Sequence, residues 1–152
     1  MRLAEALQER ADLNRKIDQL ESRLSNNALI QEGEKADEDP KELLKELDES
    51  VSRLEILIAE INLTNCATQV DGKSLTEIIA RKDTLTKKVS VYRTLISAAG
   101  YKTMRARGSE IKIVSSVNVA QLQKKADEIA KEIRLLDNTL QEYNWKTELI
   151  EK

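Results

Sequence analysis

The chain has no phenylalanine and no histidine, and only one proline, one cysteine, one tryptophan and four glycines among 152 residues. Each shortage excludes a class of chemistry. Without histidine there is no Ser-His or Cys-His nucleophile pair, and no carboxylate-histidine motif of the kind that builds a two-metal centre inside a ferritin-like bundle. A lone cysteine, Cys66, has no intrachain disulfide partner and suits a reducing compartment; it reads as a packed or partly exposed thiol rather than a nucleophile. None of the glycines belongs to a phosphate-cradling loop. No apolar run approaches the length of a membrane span, and Met1-Arg2-Leu3-Ala4-Glu5 leads into charges rather than a signal-peptide core. The residues therefore predict a cytoplasmic, soluble protein and assign no metal, no cofactor and no catalytic residue.

What the chain does have is helix periodicity. Apolar residues make up 40% of it and charged ones 34%, the balance that amphipathic helices need. With aromatics at 3%, the core must come from Leu, Ile, Val and Ala. From Val119 an apolar seam runs through Leu122, Ala126, Ile129, Ile133, Leu136, Leu140, Tyr143 and Thr147 to Ile150, in the alternating three- and four-residue steps of helices packed lengthwise. A first helix over about 3–27 carries Leu3, Ala6, Leu13, Ile17, Leu20 and Leu24, with Arg10 interrupting the stripe. Asp39-Pro40 opens a second helix over 40–66, because Asp accepts from free N–H groups and proline at the first helical position forfeits no hydrogen bond. Its seam reads Leu44, Leu47, Val51, Leu54, Ile58, Ile61 and Asn65. After the turn signal Asp71-Gly72, Ser74-Leu75-Thr76-Glu77 matches a capping box for a third helix over 75–100, with Leu75, Ile78, Lys82, Leu85, Val89, Tyr92, Ile96 and Ala99 on its seam and Gly100 closing it. Asn118 suits the cap of the fourth, over 119–151.

These elements predict a single all-α domain over 1–152: an antiparallel four-helix bundle with coiled-coil-like packing. Helices of about 25 residues span roughly 38 Å each, and the fourth exceeds its partners. Its last turns carry Tyr143, Trp145, Leu149 and Ile150, so the overhang predicts self-association, a homo-oligomer. Between helices, Ala28-Leu29-Ile30-Gln31 and Glu110-Ile111-Lys112-Ile113-Val114 read as short extended pieces, the second inside an irregular or β linker over 101–117. Up-down-up-down topology places the two at the same end, where they could pair as a two-stranded cap.

Charge is uneven along the chain. From Glu32 to Glu60 eleven acidic residues stand against four basic ones, whereas from Arg81 to Lys112 nine basic residues meet only Asp83 and Glu110. A nucleic-acid reading uses Lys102, Arg105, Arg107 and Lys112 as phosphate contacts with Tyr101 as a stacking platform. The net charge of −2 and the lack of any nucleic-acid-binding motif argue against it, and the basic linker then faces the acidic loop instead.

Polar residues on the seams are the remaining candidates, since a buried charge must be paired or it costs several kcal/mol. Arg10 and Lys82 fall at similar heights, with Asp83 and Asp137 as partners and Asn62 and Asn65 nearer the end of the bundle. One reading makes this layer an anion or small-ligand site, with an enzyme as its extension. The favoured reading makes it a layer that fixes helix register and oligomer state.

The strings Leu3-Ala4-Glu5-Ala6-Leu7, Glu9-Arg10-Ala11-Asp12-Leu13, Gln31-Glu32-Gly33-Glu34, Ile61-Asn62-Leu63-Thr64-Asn65, Ala80-Arg81-Lys82-Asp83, Ser109-Glu110-Ile111-Lys112 and Asn144-Trp145, in this order, resemble a family of small bacterial proteins labelled septicolysin-like, which otherwise carries an uncharacterised-domain name. The resemblance spans nearly the whole chain. Its label implies a cytolysin, but it brings no catalytic or binding residues, and the residues themselves point to an interaction or scaffolding protein.

Overall fold

The computed structural model describes residues 1–100 and 111–152. Four long helices dominate: α1 (Leu3–Asn26), α2 (Pro40–Ala67), α3 (Leu75–Ala99) and α4 (Val119–Lys146), with strands β1 (Gln69–Val70) and β2 (Lys73–Ser74) between α2 and α3. The fold is all-α, of the helical-bundle class, with one small antiparallel strand pair.

Local chemistry sets the helix ends. The Asp39 carboxylate accepts from Lys41 N–H at 3.0 Å with Pro40 in the first turn of α2, and the Asn118 side chain accepts from Gln121 N–H at 3.1 Å to open α4. At α1 the Glu5 carboxylate accepts from the Arg2 N–H at 2.7 Å. Gly100 ends α3 by donating to Ile96 O at 3.1 Å. The strands join through Asp71-Gly72, whose φ values of 50° and 81° are both left-handed, as a two-residue hairpin turn requires. This hairpin lies where the sequence showed only a turn. The expected pairing near Leu29 and Ile111 is not formed: neither 28–31 nor 111–114 is a strand among the described residues. Both segments are short and exposed, so neither has a buried face to set a register.

The helices group into two compact units, Met1–Ser74 with Glu142–Lys152, and Leu75–Gln141. In the first, α1 packs on α2 through Leu3, Ala6 and Leu20 against a core completed by Leu43, Leu57 and Ile61, all buried. Four of the seven seam positions of α2 lie one residue before the expected ones, while Leu47, Leu54 and Ile61 lie where expected. The seam runs Leu43, Leu47, Ser50, Leu54, Leu57, Ile61, Thr64, while Leu44, Val51 and Ile58 are 49%, 46% and 40% exposed. Adjacent apolar pairs, Leu43-Leu44 and Leu57-Ile58, produce two interleaved heptads. The one that packs includes Ser50 and Thr64, whose small side chains allow close approach and leave no unsatisfied buried atom among the described residues.

Two of this unit's ion pairs link α1 to α2 and to the loop between them. Arg53 binds Glu9 bidentately from α2 to α1, Nε to Oε1 at 2.6 Å and Nη2 to Oε2 at 2.9 Å. The Arg53 hydrogen bond holds the Glu9 carboxyl below its ordinary pKa and raises that of the guanidinium. Near the α1–α2 loop, Arg23 Nε donates to both Glu38 oxygens at 3.1 Å. Glu38 N–H donates to Asn27 Oδ1 at 3.0 Å, and Asn27 Nδ2 donates to Arg23 O at 2.8 Å, closing the loop on itself.

The fourth helix stops at Lys146, short of the expected 151. Its continuation leaves the helix and pairs with the start of the chain. Leu3 N–H donates to Thr147 O at 2.9 Å and Leu149 N–H to Met1 O at 2.8 Å, with Arg2 and Glu148 forming an isolated antiparallel bridge. The physical reason is that the first N–H groups of α1 lack helical acceptors, and an extended tail supplies one. Leu149, expected on the overhang, is buried instead.

In the second unit the seams lie as expected. Leu85 and Val89 from α3 pack on Ala126 and Ile129 from α4, with Tyr92, Ile96, Ile133 and Leu136 flanking the cluster. Arg81 Nη2 reaches Glu132 at 2.9 Å across the same pair of helices.

Candidate functional site

Of the polar seam residues, the structure brings Lys82 and Asp137 together: Lys82 Nζ donates to Asp137 Oδ1 at 2.6 Å, with the side chains 32% and 40% exposed. Water reaches both, so the pair joins α3 to α4 at a modest net gain, about 1 kcal/mol or less. Asp83, its neighbour, is exposed. Arg10 is half-buried on α1 in the first unit, where its carbonyl accepts from Asn14 Nδ2 at 2.9 Å and no ion pair reaches its guanidinium among the described residues. Asn62 is exposed and Asn65 half-buried, both on the last turns of α2. Of the basic linker, Lys112 is exposed, while Lys102, Arg105 and Arg107 lie outside the described residues, as does Tyr101.

A polar cluster that sequence reasoning missed sits at the C-terminal end of α2. Glu60 and Thr64 are both buried, one turn apart, and both hold the tail. Thr64 Oγ1 donates to Glu60 O at 2.8 Å and accepts from Ile150 N–H at 2.9 Å. Glu60 Oε1 accepts from Lys152 N–H at 3.0 Å. Main-chain donors of the tail thus satisfy a buried carboxylate and a buried hydroxyl. Nothing in the apolar pattern announces such contacts, because the partner groups are backbone. The arrangement is a strap, with every polar group engaged, rather than an open site.

Among the described residues no group of carboxylates and thiol could hold a metal ion, and no helix is long and apolar enough to cross a membrane. The largest unspent feature is apolar and exposed. Along α2, Leu44, Val51 and Ile58 repeat every seven residues beside the seam that α1 fills. Along α3, Val91 and Leu95 are 65% and 40% exposed, on a face distinct from the Leu85 and Val89 seam. A helix face turned to solvent normally carries polar residues, and on α2 this face repeats apolar residues every seven instead.

Residues 10–149 match a family described as Family of unknown function (DUF6847), and the chain belongs to that family. A solved structure is similar over 99% of both chains at 38% identity with a TM-score of 0.92: "Crystal structure of a functionally unknown conserved protein from Corynebacterium diphtheriae". No curated protein matches the chain. The family description is coarser than the septicolysin-like label and carries no activity with it.

Proposed function

We propose that this member of the family is a cytoplasmic interaction or scaffolding protein that self-associates through helix packing. The observation that carries the reading is the exposed heptad of α2, Leu44, Val51 and Ile58, parallel to a seam already filled by α1. Each of these side chains gains on the order of 1 kcal/mol when its exposed half is covered, from about 25 cal/mol per Å² of apolar surface removed from water. Three such residues with their neighbours make a modest but specific contact. The polar seam residues support the same reading: Lys82 is satisfied by Asp137 at 2.6 Å and serves α3–α4 pairing without a ligand.

Light scattering coupled to gel filtration tests it. At tens of micromolar, roughly where modest interfaces persist, the expected mass is that of a dimer or larger. A monomer at that concentration overturns the reading.

A further inference from the structure

The two units carry opposite charge. The first holds 20 acidic against 12 basic side chains and the second seven against 13, so their formal charges are −8 and +6. The same polarity recurs in the exposed stripes. On α2 the stripe reads Leu44, Asp48, Val51, Glu55, Ile58, Asn62, in alternating steps of four and three, with carboxylates at every second place up to Glu55. On α3 it reads Arg81, Thr84, Lys88, Val91, Leu95, Ala98, in steps of three and four, with cations at the matching places. Asp48, Glu55, Arg81, Thr84 and Lys88 are all exposed, Lys88 being the cation of this stripe with no carboxylate partner among the described residues, whereas Arg81 already binds Glu132 of α4 at 2.9 Å.

We propose that the acidic stripe of α2 docks on the basic stripe of α3 from a second copy of the chain, the two helices running parallel. This rests on the self-association reading and names its surface. In a parallel pair like heptad positions meet, so the layers become Leu44 with Glu77, Asp48 with Arg81, Val51 with Thr84, Glu55 with Lys88, Ile58 with Val91 and Asn62 with Leu95. In the four central layers charge meets opposite charge and apolar meets apolar or small, while the end layers set Leu44 by Glu77 and Asn62 by Leu95. Antiparallel packing sets unlike positions opposite each other, which puts Val51 on Lys88 and Asp48 on Val91. Pairing α2 with a second α2 in parallel sets Asp48 and Glu55 against carboxylates, a like-charge contact that costs several kcal/mol, and in antiparallel it sets them against Val51 and Ile58 with no cation to meet them.

Connectivity assigns the partner to another molecule. In the parallel register Leu75 lies about 37 Å back along the axis from Ala67, at about 1.5 Å per residue, whereas the connecting residues reach at most about 29 Å even when extended. Those residues are also folded into the β1–β2 hairpin. A single chain therefore has no way to close this contact on itself. Two copies exchanging α2 and α3 reciprocally satisfy both stripes.

Charge reversal with mixing is the test, because the Glu55 and Lys88 layer is exposed and neither residue lies in the core. Glu55→Lys and Lys88→Glu are each compared with wild type by sedimentation velocity, with far-UV circular dichroism confirming that helicity is kept. Each variant alone now opposes like charges, and its dimer dissociation constant is expected to rise at least about tenfold. An equimolar mixture restores opposite charges in both copies of the layer and is expected to recover a heterodimer near wild-type affinity. If wild type is a monomer, self-association itself fails. If wild type is a dimer and neither reversal weakens it, or if both weaken it and mixing restores nothing, self-association stands and this interface is wrong.

Discussion

The displacement of every other position of the α2 seam by one residue makes a sharp stability prediction, because it assigns opposite fates to leucines on the same helix. Leu57 is fully buried against α1, whereas Leu44 is 49% exposed. Leu57→Ala removes three carbons from the core, about 2.4 kcal/mol of transfer free energy at roughly 0.8 kcal/mol per buried group. The cavity term raises the expected cost to about 3–4 kcal/mol, since the neighbouring turns of α1 and α2 relax only in part. Leu44→Ala removes the same atoms from a half-exposed site, and alanine's better helix propensity offsets some of the loss, so about 1 kcal/mol or less is expected. Urea titration followed by far-UV circular dichroism, at submicromolar protein so that association does not contribute, gives both values. Equal costs, or a larger cost at Leu44, would refute the seam assigned to α2 and with it the claim that Leu44, Val51 and Ile58 form a free stripe.

Three further outcomes follow from named contacts. The Glu9 carboxyl sits below its ordinary pKa of 4.5 through its hydrogen bonds from Arg53, so the stability it contributes is present above the unfolded value and is lost as pH falls through the lowered one. Because the side chains are 31% and 41% exposed, the loss is at most about 1 kcal/mol, and Glu9→Gln should flatten that part of the acid limb in pH-dependent urea melts. Replacing the half-exposed pair as Lys82→Met with Asp137→Leu should leave helicity unchanged and stability equal or higher, whereas loss of folded protein on thermal melting would make the pair a requirement of the α3–α4 seam. Gly72 has φ of 81° with open space around its Cβ position, so Gly72→Ala should cost about 1 kcal/mol from backbone strain alone, seen as a fall of a few degrees in melting temperature.

The helices were legible because their seams repeat for several turns and their caps are local. Asp39-Pro40 and Asn118 start α2 and α4 through side-chain acceptors within two or three residues. The seams of α3 and α4 lie where expected: Leu75, Ile78, Leu85 and Val89 on α3 and Ala126, Ile129 and Leu140 on α4 are all buried. On α2 two lines share Leu47, Leu54 and Ile61, and of the positions that alternate with them Leu44, Val51 and Ile58 are exposed while Leu43, Ser50, Leu57 and Thr64 are buried, Thr64 being held by the tail. The end of α4 was misread for a different reason. The heptad continues through Thr147 and Ile150, but backbone pairing between Met1–Leu3 and the tail outweighs it, and backbone groups leave no mark in an apolar pattern. Among the candidate residues, Lys82 on the α3 seam had Asp83 and Asp137 as candidate partners, and it is Asp137 of α4 that it meets. The Glu60 and Thr64 strap was not legible, as its partners are the amides of Lys152 and Ile150.

Native mass spectrometry of the purified chain tests the central claim most directly, since it reports assembly and any retained ligand in one spectrum. Self-association through helix packing predicts a bare species at twice the 17.2 kDa of the chain, or a larger even multiple. A monomer carrying a tightly held small molecule would contradict it and move the function from the exposed stripes of α2 and α3 to a site inside the helices.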